Sequence, residues 1–265
     1  MSFGTLLKSW RAARRYSQLE LAEEARVSQR HLSFLESGRA QPSREMIQQL
    51  SEALRVPLRE RNDLMLAAGF APLYPERDLD SSDMLSVRQA LEATLRHHEP
   101  YPALVVDRQW DVVLLNRAAD RLLGMLGDPA RVWERVDPSG RRNLMRLTLH
   151  PAGMQPLIVN WRQVSTLLLK RLQGEVEANP ANFRLRELLA ELTALPGIPP
   201  HWQDGVWTSA PPPVLALELG GQGAPALKLF SMICAFGTAL DVTADELRLE
   251  LVFPSDEATA GFFRL

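Results

Sequence analysis

Residues 17–43, SQLELAEEARVSQRHLSFLESGRAQPS, decide the reading of the first part of this chain. Gln18 to Ala25 is predicted to form a short helix with Leu19, Leu21 and Ala22 as its apolar positions. Arg26 and Val27 make a turn. Ser28 is an N-cap residue, whose hydroxyl accepts from a backbone N–H two or three positions on. Gln29 to Ser37 is a second helix, and Gly38 suits the left-handed position just past its end. Leu32 and Leu35 point inward, while Gln29, Arg30 and Ser33 share the opposite face. An amide, a guanidinium and a hydroxyl near one helix N-terminus can read base edges in a major groove of DNA. Ala22 is small where the two helices approach, and Val27 plugs the corner. The turn position before Val27 requires a positive φ, which Gly adopts freely; Arg26 stands there at a modest cost in strain.

The flanks extend this pair to five helices. Phe3 to Arg15 carries Phe3, Leu6, Leu7 and Trp10 as an apolar stripe of helical period. Ser43 caps a fourth helix, Arg44 to Leu54, with Met46, Ile47 and Leu50 inward. Pro57 opens a fifth through Ala68, with Leu64, Met65 and Ala67 apolar, and Gly69 stops it. GFAPLYPERDLDSS then reads as a linker. A helix from Ser82 to His98 follows, set either to pack on the next domain or to pair with its copy in a dimer.

From Tyr101 the pattern changes. PALVVD and WDVVLLN are two strands around an Arg108-Gln109 turn. Asn116 stands where strand becomes helix, Arg117 to Met125, as an Asx or N-cap residue. Asp107 and Asp111 flank the turn and are expected to face solvent. RRNLMRLTLHP, NWRQVSTLLLKRLQGEVEA and ANFRLRELLAELTAL make three helices, cut by prolines. DGVWT, VLALEL, LKLFSMICAF and LRLELVFP supply further strands. Gly220 to Gly223 reads as a hairpin loop. The expected body is an antiparallel sheet of about five or six strands with helices over one face.

At 46% hydrophobic residues the chain can build packed cores and is not a disordered one. Residues 1–70 hold 11 Lys/Arg against 8 Asp/Glu, and residues 71–265 hold 19 against 24, so the charge changes sign between head and body. A single cysteine, Cys234, excludes an intrachain disulfide and a cysteine-based zinc site. No segment approaches the ~20 apolar residues of a membrane span, and no signal peptide is expected, which points to a cytoplasmic protein. His97 and His98 are adjacent and cannot both face one ion on a helix, so no metal site is expected. No catalytic motif stands out.

WRAARRYSQLELA, HLSFLESGRAQPSREM, LRVPLRERNDLMLAAGFAP and WDVVLLNRAA resemble, in this order, the MmyB-like branch of the XRE-type, or lambda-repressor-like, family of bacterial transcription regulators. The resemblance implies a multidomain α plus α/β chain. An all-α five-helix lambda-repressor-like helix-turn-helix head (1–70) is followed by a linker and connecting helix (71–98) and a PAS-like α+β ligand-binding domain with an antiparallel sheet (99–265). It also implies that Arg11 pairs with Glu36 and locks the first helix to the reading helix. The expected partners are a double-stranded DNA operator, a small apolar ligand and a second copy of the chain. Gln29, Arg30 and Ser33 are expected to read bases, Gln18, Arg14, Arg39 and Ser43 to hold phosphates, and Ser28, which caps the reading helix, to bind DNA with them.

For the body, the resemblance implies a long-chain fatty acid as the leading ligand class, with no cofactor required. Such a ligand asks for an apolar tunnel and a polar group at its mouth. Arg142, Asn143, His150, Asn160 and Arg162 are candidates; Asn143 and Arg162 come first because both start helices beside apolar runs. Trp133, Trp161, Phe183, Trp202, Trp207, Phe230 and Phe236 are expected over one sheet face, and of these Trp133, Trp161, Phe183, Phe230 and Phe236, with Leu147, are expected to bind the ligand. The alternative is a body that only oligomerises or binds a protein partner.

Overall fold

The computed structural model describes residues 1–204, 212–220 and 226–264. Two units separate by their contacts. One holds Met1–Asp78 with Glu175–Phe183 and Gly237–Asp245; the other holds Leu79–Gly174, Arg184–Phe236 and Glu246–Leu265.

The first unit contains α1 (Phe3–Ala13), α2 (Gln18–Glu24), α3 (Gln29–Glu36), α4 (Arg44–Ala53) and α5 (Leu58–Ala67). Each of the first four begins at a serine, Ser2, Ser17, Ser28 or Ser43, whose hydroxyl accepts an N–H of the first turn. Ser17 and Glu20 do so reciprocally, which satisfies two donors that would otherwise lack partners. Leu7, Trp10, Leu21, Leu32, Leu35, Ile47, Leu50 and Leu64 close one core. Leu19, expected among the apolar positions, points to solvent instead, because Leu21, Ala22 and Ala25 already fill the inner stripe of so short a helix. Arg26 takes φ 50° in the turn and Gly38 φ 73° after α3.

Helices α1 and α3 meet almost backbone to backbone. A methyl group on Gly4 would lie 2.5 Å from the Leu35 carbonyl oxygen. Beside this contact Arg11 donates to both oxygens of Glu36, at 2.6 and 3.0 Å, and to the Tyr16 carbonyl at 2.8 Å. Burial alone would raise the Glu36 carboxyl. The hydrogen bonds from Arg11 and Gln18, with the Arg11 charge, outweigh it and hold the group below its usual range.

The stretch read as a linker is strapped to α5 over part of its length. Asn62 accepts from the N–H groups of Leu73 and Tyr74 and donates to the Tyr74 carbonyl at 2.7 Å. An amide side chain thus replaces the sheet or helix partners that this extended segment lacks.

The second unit begins with a turn of 3-10 helix at Ser82–Met84 and α6 (Leu85–His97). Then come β1 (Ala103–Val106), β2 (Val112–Leu115), α7 (Arg117–Gly124), α8 (Pro129–Val136), α9 (Leu144–Leu149), α10 (Trp161–Ala178) and α11 (Phe183–Thr193). The chain returns through β3 (Leu217–Leu219), β4 (Leu227–Ala235), β5 (Arg248–Pro254) and α13 (Glu257–Arg264), while α12 (Val242–Glu246), between β4 and β5, belongs to the first unit except for its last residue. The strands form one antiparallel sheet in the order β2-β1-β5-β4-β3. In its register Glu250 of β5 pairs with Leu104 on one side and Ile233 on the other.

Asn116 sits at the junction expected of it, buried, with both ends of its amide in use. Its oxygen accepts from Ala103 and Ala119, at 3.0 and 2.9 Å, and its nitrogen donates to the carbonyls of Leu95 and Tyr101. Helices α8, α12 and α13 were not foreseen. Asp128 caps α8 and Pro129 occupies its first turn, a start signal that stands in the sequence. VLALEL shortens to the three residues of β3, while DGVWT, apart from Asp204, and the loop after Gly220 lie outside the described residues. Among the described residues no helix is long and apolar enough to cross a membrane.

Removal of Arg11 leaves the Glu36 carboxylate half-enclosed and without its cation. Arg11→Ala is expected to cost the first unit about 3 kcal/mol, read as the loss of its chemical-unfolding free energy. Arg11→Lys is expected to recover only part, since an ammonium cannot supply the two-pronged contact.

Candidate functional site

Each unit gathers polar groups in one place. In the first unit it is the outer face of α3. Leu32 and Leu35 are buried beneath it, and the Ser28 hydroxyl fixes its start by accepting from the His31 N–H at 3.2 Å. Gln29 and Arg30 are exposed on the first turn, with Ser33 half-buried beside them. The Arg30 guanidinium lies over the Phe34 ring at 5.4 Å, which limits its sweep. Arg39 is exposed just past the helix, and its backbone N–H is held by the Phe34 carbonyl at 2.9 Å. Ser28 and Ser43 accept in their caps, so each hydroxyl retains a hydrogen to donate.

Two residues assigned to phosphates are used otherwise. Arg14 is turned onto carbonyl oxygens, with Nε to Leu54 at 2.9 Å, Nη1 to Ala178 at 2.8 Å and Nη2 to Arg55 at 3.3 Å, and it stacks on Trp10. A guanidinium spent on three carbonyls has little left for an anion. Gln18 donates its amide to Glu36 at 2.8 Å and so belongs to the Arg11 pair.

In the second unit a cavity of about 300 Å3 opens between the sheet and the helices α7 to α10. Leu104, Leu115, Leu217, Leu229 and Val252 form its floor; Leu122, Leu123, Leu147, Val164 and Leu168 form its roof. The volume is at the lower end of what small-molecule sites hold. Trp133 and Phe230, both expected there, line it. Polar atoms come from Thr148, Ser231, Glu250, Arg171 and Trp110. Thr148 donates to the Leu144 carbonyl at 2.9 Å, as a helical threonine does. Trp110 is buried in the β1–β2 turn with φ 67°, a left-handed conformation uncommon for a bulky residue. The guanidinium groups of Arg171 and Arg248 lie over its ring at 4.6 and 5.5 Å. Burial raises the Glu250 carboxyl above its ordinary value, and the Ser231 hydrogen bond and Arg171 charge offset this only in part.

The other expected ligand residues stand elsewhere. Asn143 is 2% exposed and caps α9, with its amide nitrogen on the Gln109 carbonyl and on Asp111, each at 2.7 Å. It stands at a helix start, and capping is the role that place gives it. Trp161 and Arg162 lie outside the lining, where the Trp161 indole donates to the Gly197 carbonyl at 2.7 Å. Phe183 is 61% exposed and Phe236 is also off the cavity. Asp107 does not simply face solvent: its carboxylate accepts from Gln109 and Asp111 N–H groups, and burial raises it. Arg171, Ser231 and Glu250 were missed. The alternation in LRLELVFP, which sets Arg248 and Glu250 on one face of a strand between apolar residues, was the available signal.

Residues 87–265 match the family model of the MmyB-like transcription regulator ligand binding domain, and residues 7–61 match a helix-turn-helix model. A comparison with curated proteins found no match.

Asn143→Ala removes an N-cap and leaves Asp111 and the Gln109 carbonyl short of a donor. A loss of about 2 kcal/mol in the unfolding of the second unit is expected, with no change in what the cavity binds; calorimetry and a binding titration separate the two effects.

Proposed function

Because the chain belongs to the MmyB-like transcription regulators, we propose that it is a DNA-binding regulator whose cavity holds a long-chain fatty acid or a similar apolar acid. The carrying observation is the cavity itself, apolar on floor and roof and polar at one end through Arg171, Ser231 and Glu250. That arrangement suits an amphiphile whose chain leaves water and whose head meets a cation. The strand order β2-β1-β5-β4-β3 supports a PAS-like reading of the domain.

On the DNA side, Gln29, Arg30 and Ser33 read base edges from the outer face of α3. Arg39 and Ser43, with the Ser28 hydroxyl, hold the backbone. One such helix covers few bases, so the working form in this reading is a homodimer on two half-sites. The ligand acts by binding better to one arrangement of the dimer than to the other. No prosthetic group enters this reading.

Native mass spectrometry of the full-length protein, followed by denaturing extraction, tests the ligand. One apolar acid per chain is expected, and its addition to stripped protein should change operator affinity in a mobility-shift titration. Protein that carries no such compound, and whose operator affinity ignores added fatty acids, would favour a body that only oligomerises or docks a protein. On the DNA side, Arg30→Ala is expected to cost about 1–3 kcal/mol and relax one operator position. Equal loss on every sequence would make Arg30 a phosphate contact.

A further inference from the structure

The polar end of the cavity combines unlike charges. Glu250 stands in mid-strand on β5, with β1 on one side and β4 on the other. Arg171 approaches from α10, and Arg248 lies two residues back along β5, on the same face. Both guanidinium groups rest on Trp110. β1 contributes Leu104 here and β4 contributes Ser231, neither of them charged. Among the described lining residues, Arg171 and Glu250 are the ionisable ones. A ligand acid drawn toward Arg171 therefore comes to rest beside a second carboxyl group. Two carboxylates sharing one low-dielectric site do not both remain ionised.

Resting on the ligand reading above, we propose that Glu250 makes this cavity selective for acids through a shared proton. In its neutral form Glu250 donates its O–H to the ligand carboxylate, while Arg171 supplies the counter-charge. The proton stays on the pair and no bond other than this hydrogen bond is made. The direction in which burial moves Glu250 favours that neutral form. The linkage follows from it. As the pH rises through the Glu250 pKa the donor becomes a repelling charge, and acid binding weakens by up to about tenfold per pH unit.

The full-length protein, stripped of bound lipid, is titrated with dodecanoate, dodecanol and dodecylammonium below their aggregation limits. The titrations are made in steps between about pH 5.5 and about pH 10. Dodecanoate affinity is expected to fall with rising pH over the part of this range in which Glu250 ionises, by up to about tenfold per pH unit, while dodecanol affinity stays level. Glu250→Gln keeps a neutral donor in the same place, so it should bind dodecanoate at the level of the lowest pH throughout. Its dodecanol affinity shows that the cavity is intact. Level dodecanoate affinity in the wild type overturns the proposal, as does a Glu250→Gln variant that still titrates. Preference for dodecylammonium overturns it too, by making Glu250 the anion that binds. Dodecanol binding without dodecanoate binding rejects the acid selectivity alone, whereas no binding of any of the three rejects the ligand reading with it.

Discussion

The second unit depends on one side-chain amide. At Asn116 the last residue of the β1–β2 hairpin must become the first of a helix, and four backbone groups there lose their regular partners. Asn116 meets all four, with two N–H groups on its oxygen and two carbonyls on its nitrogen. Nothing smaller reaches them, and no carboxylate could donate to the carbonyls. Because the junction is fixed, α7 leaves the sheet at a set angle and carries Ala119, Leu122 and Leu123 over the sheet face. The cavity owes one wall to that bond set.

A cavity in a protein interior forgoes packing, so its walls are held from outside. Arg146 of α9 pairs with Asp137, just after α8, and with Glu191 of α11, each at 2.6 Å. Both oxygens of Glu191 and one of Asp137 receive its donors. Ion pairs of this forked kind constrain orientation as well as distance. They tie three helices together without placing atoms in the space between helix and sheet. Trp110 does a related thing on the sheet side. Its left-handed backbone turns a large ring inward and gives two arginines a surface to lie on.

The head was legible almost entirely, because helix starts, stripes and stops are local signals: the serine caps at Ser28 and Ser43, the glycine stops at Gly38 and Gly69 and a run of inward leucines. The Arg11–Glu36 pair followed from resemblance and is present. The sheet was legible as strands but not as an order, since register is decided by contacts far apart in sequence. The cavity showed the clearest gap. Asn143 and Arg162 stand out in the sequence by their place at helix starts, which is a local property. Arg171 is an ordinary residue in mid-helix, and Glu250 shares the short strand β5 with one other charged residue, Arg248. Only the pleat of β5 and the turn of α10 bring them to one end of one space. Arg14 shows the converse, a basic residue in a basic stretch that the fold turns to carbonyl oxygens.

Helix α3 divides its residues cleanly. Leu32, Leu35 and Glu36 hold it to the head, and Gln29, Arg30 and Ser33 face outward with few ties to the core. Substitutions on the outer side therefore leave the inner bonds as they are, and most surface changes of that kind alter stability little. Divergence among descendants of such a head can proceed by exchanging three outer letters while the scaffold stays constant. The same division makes the helix a natural graft point, where a new sequence preference can be written without refolding the protein that carries it.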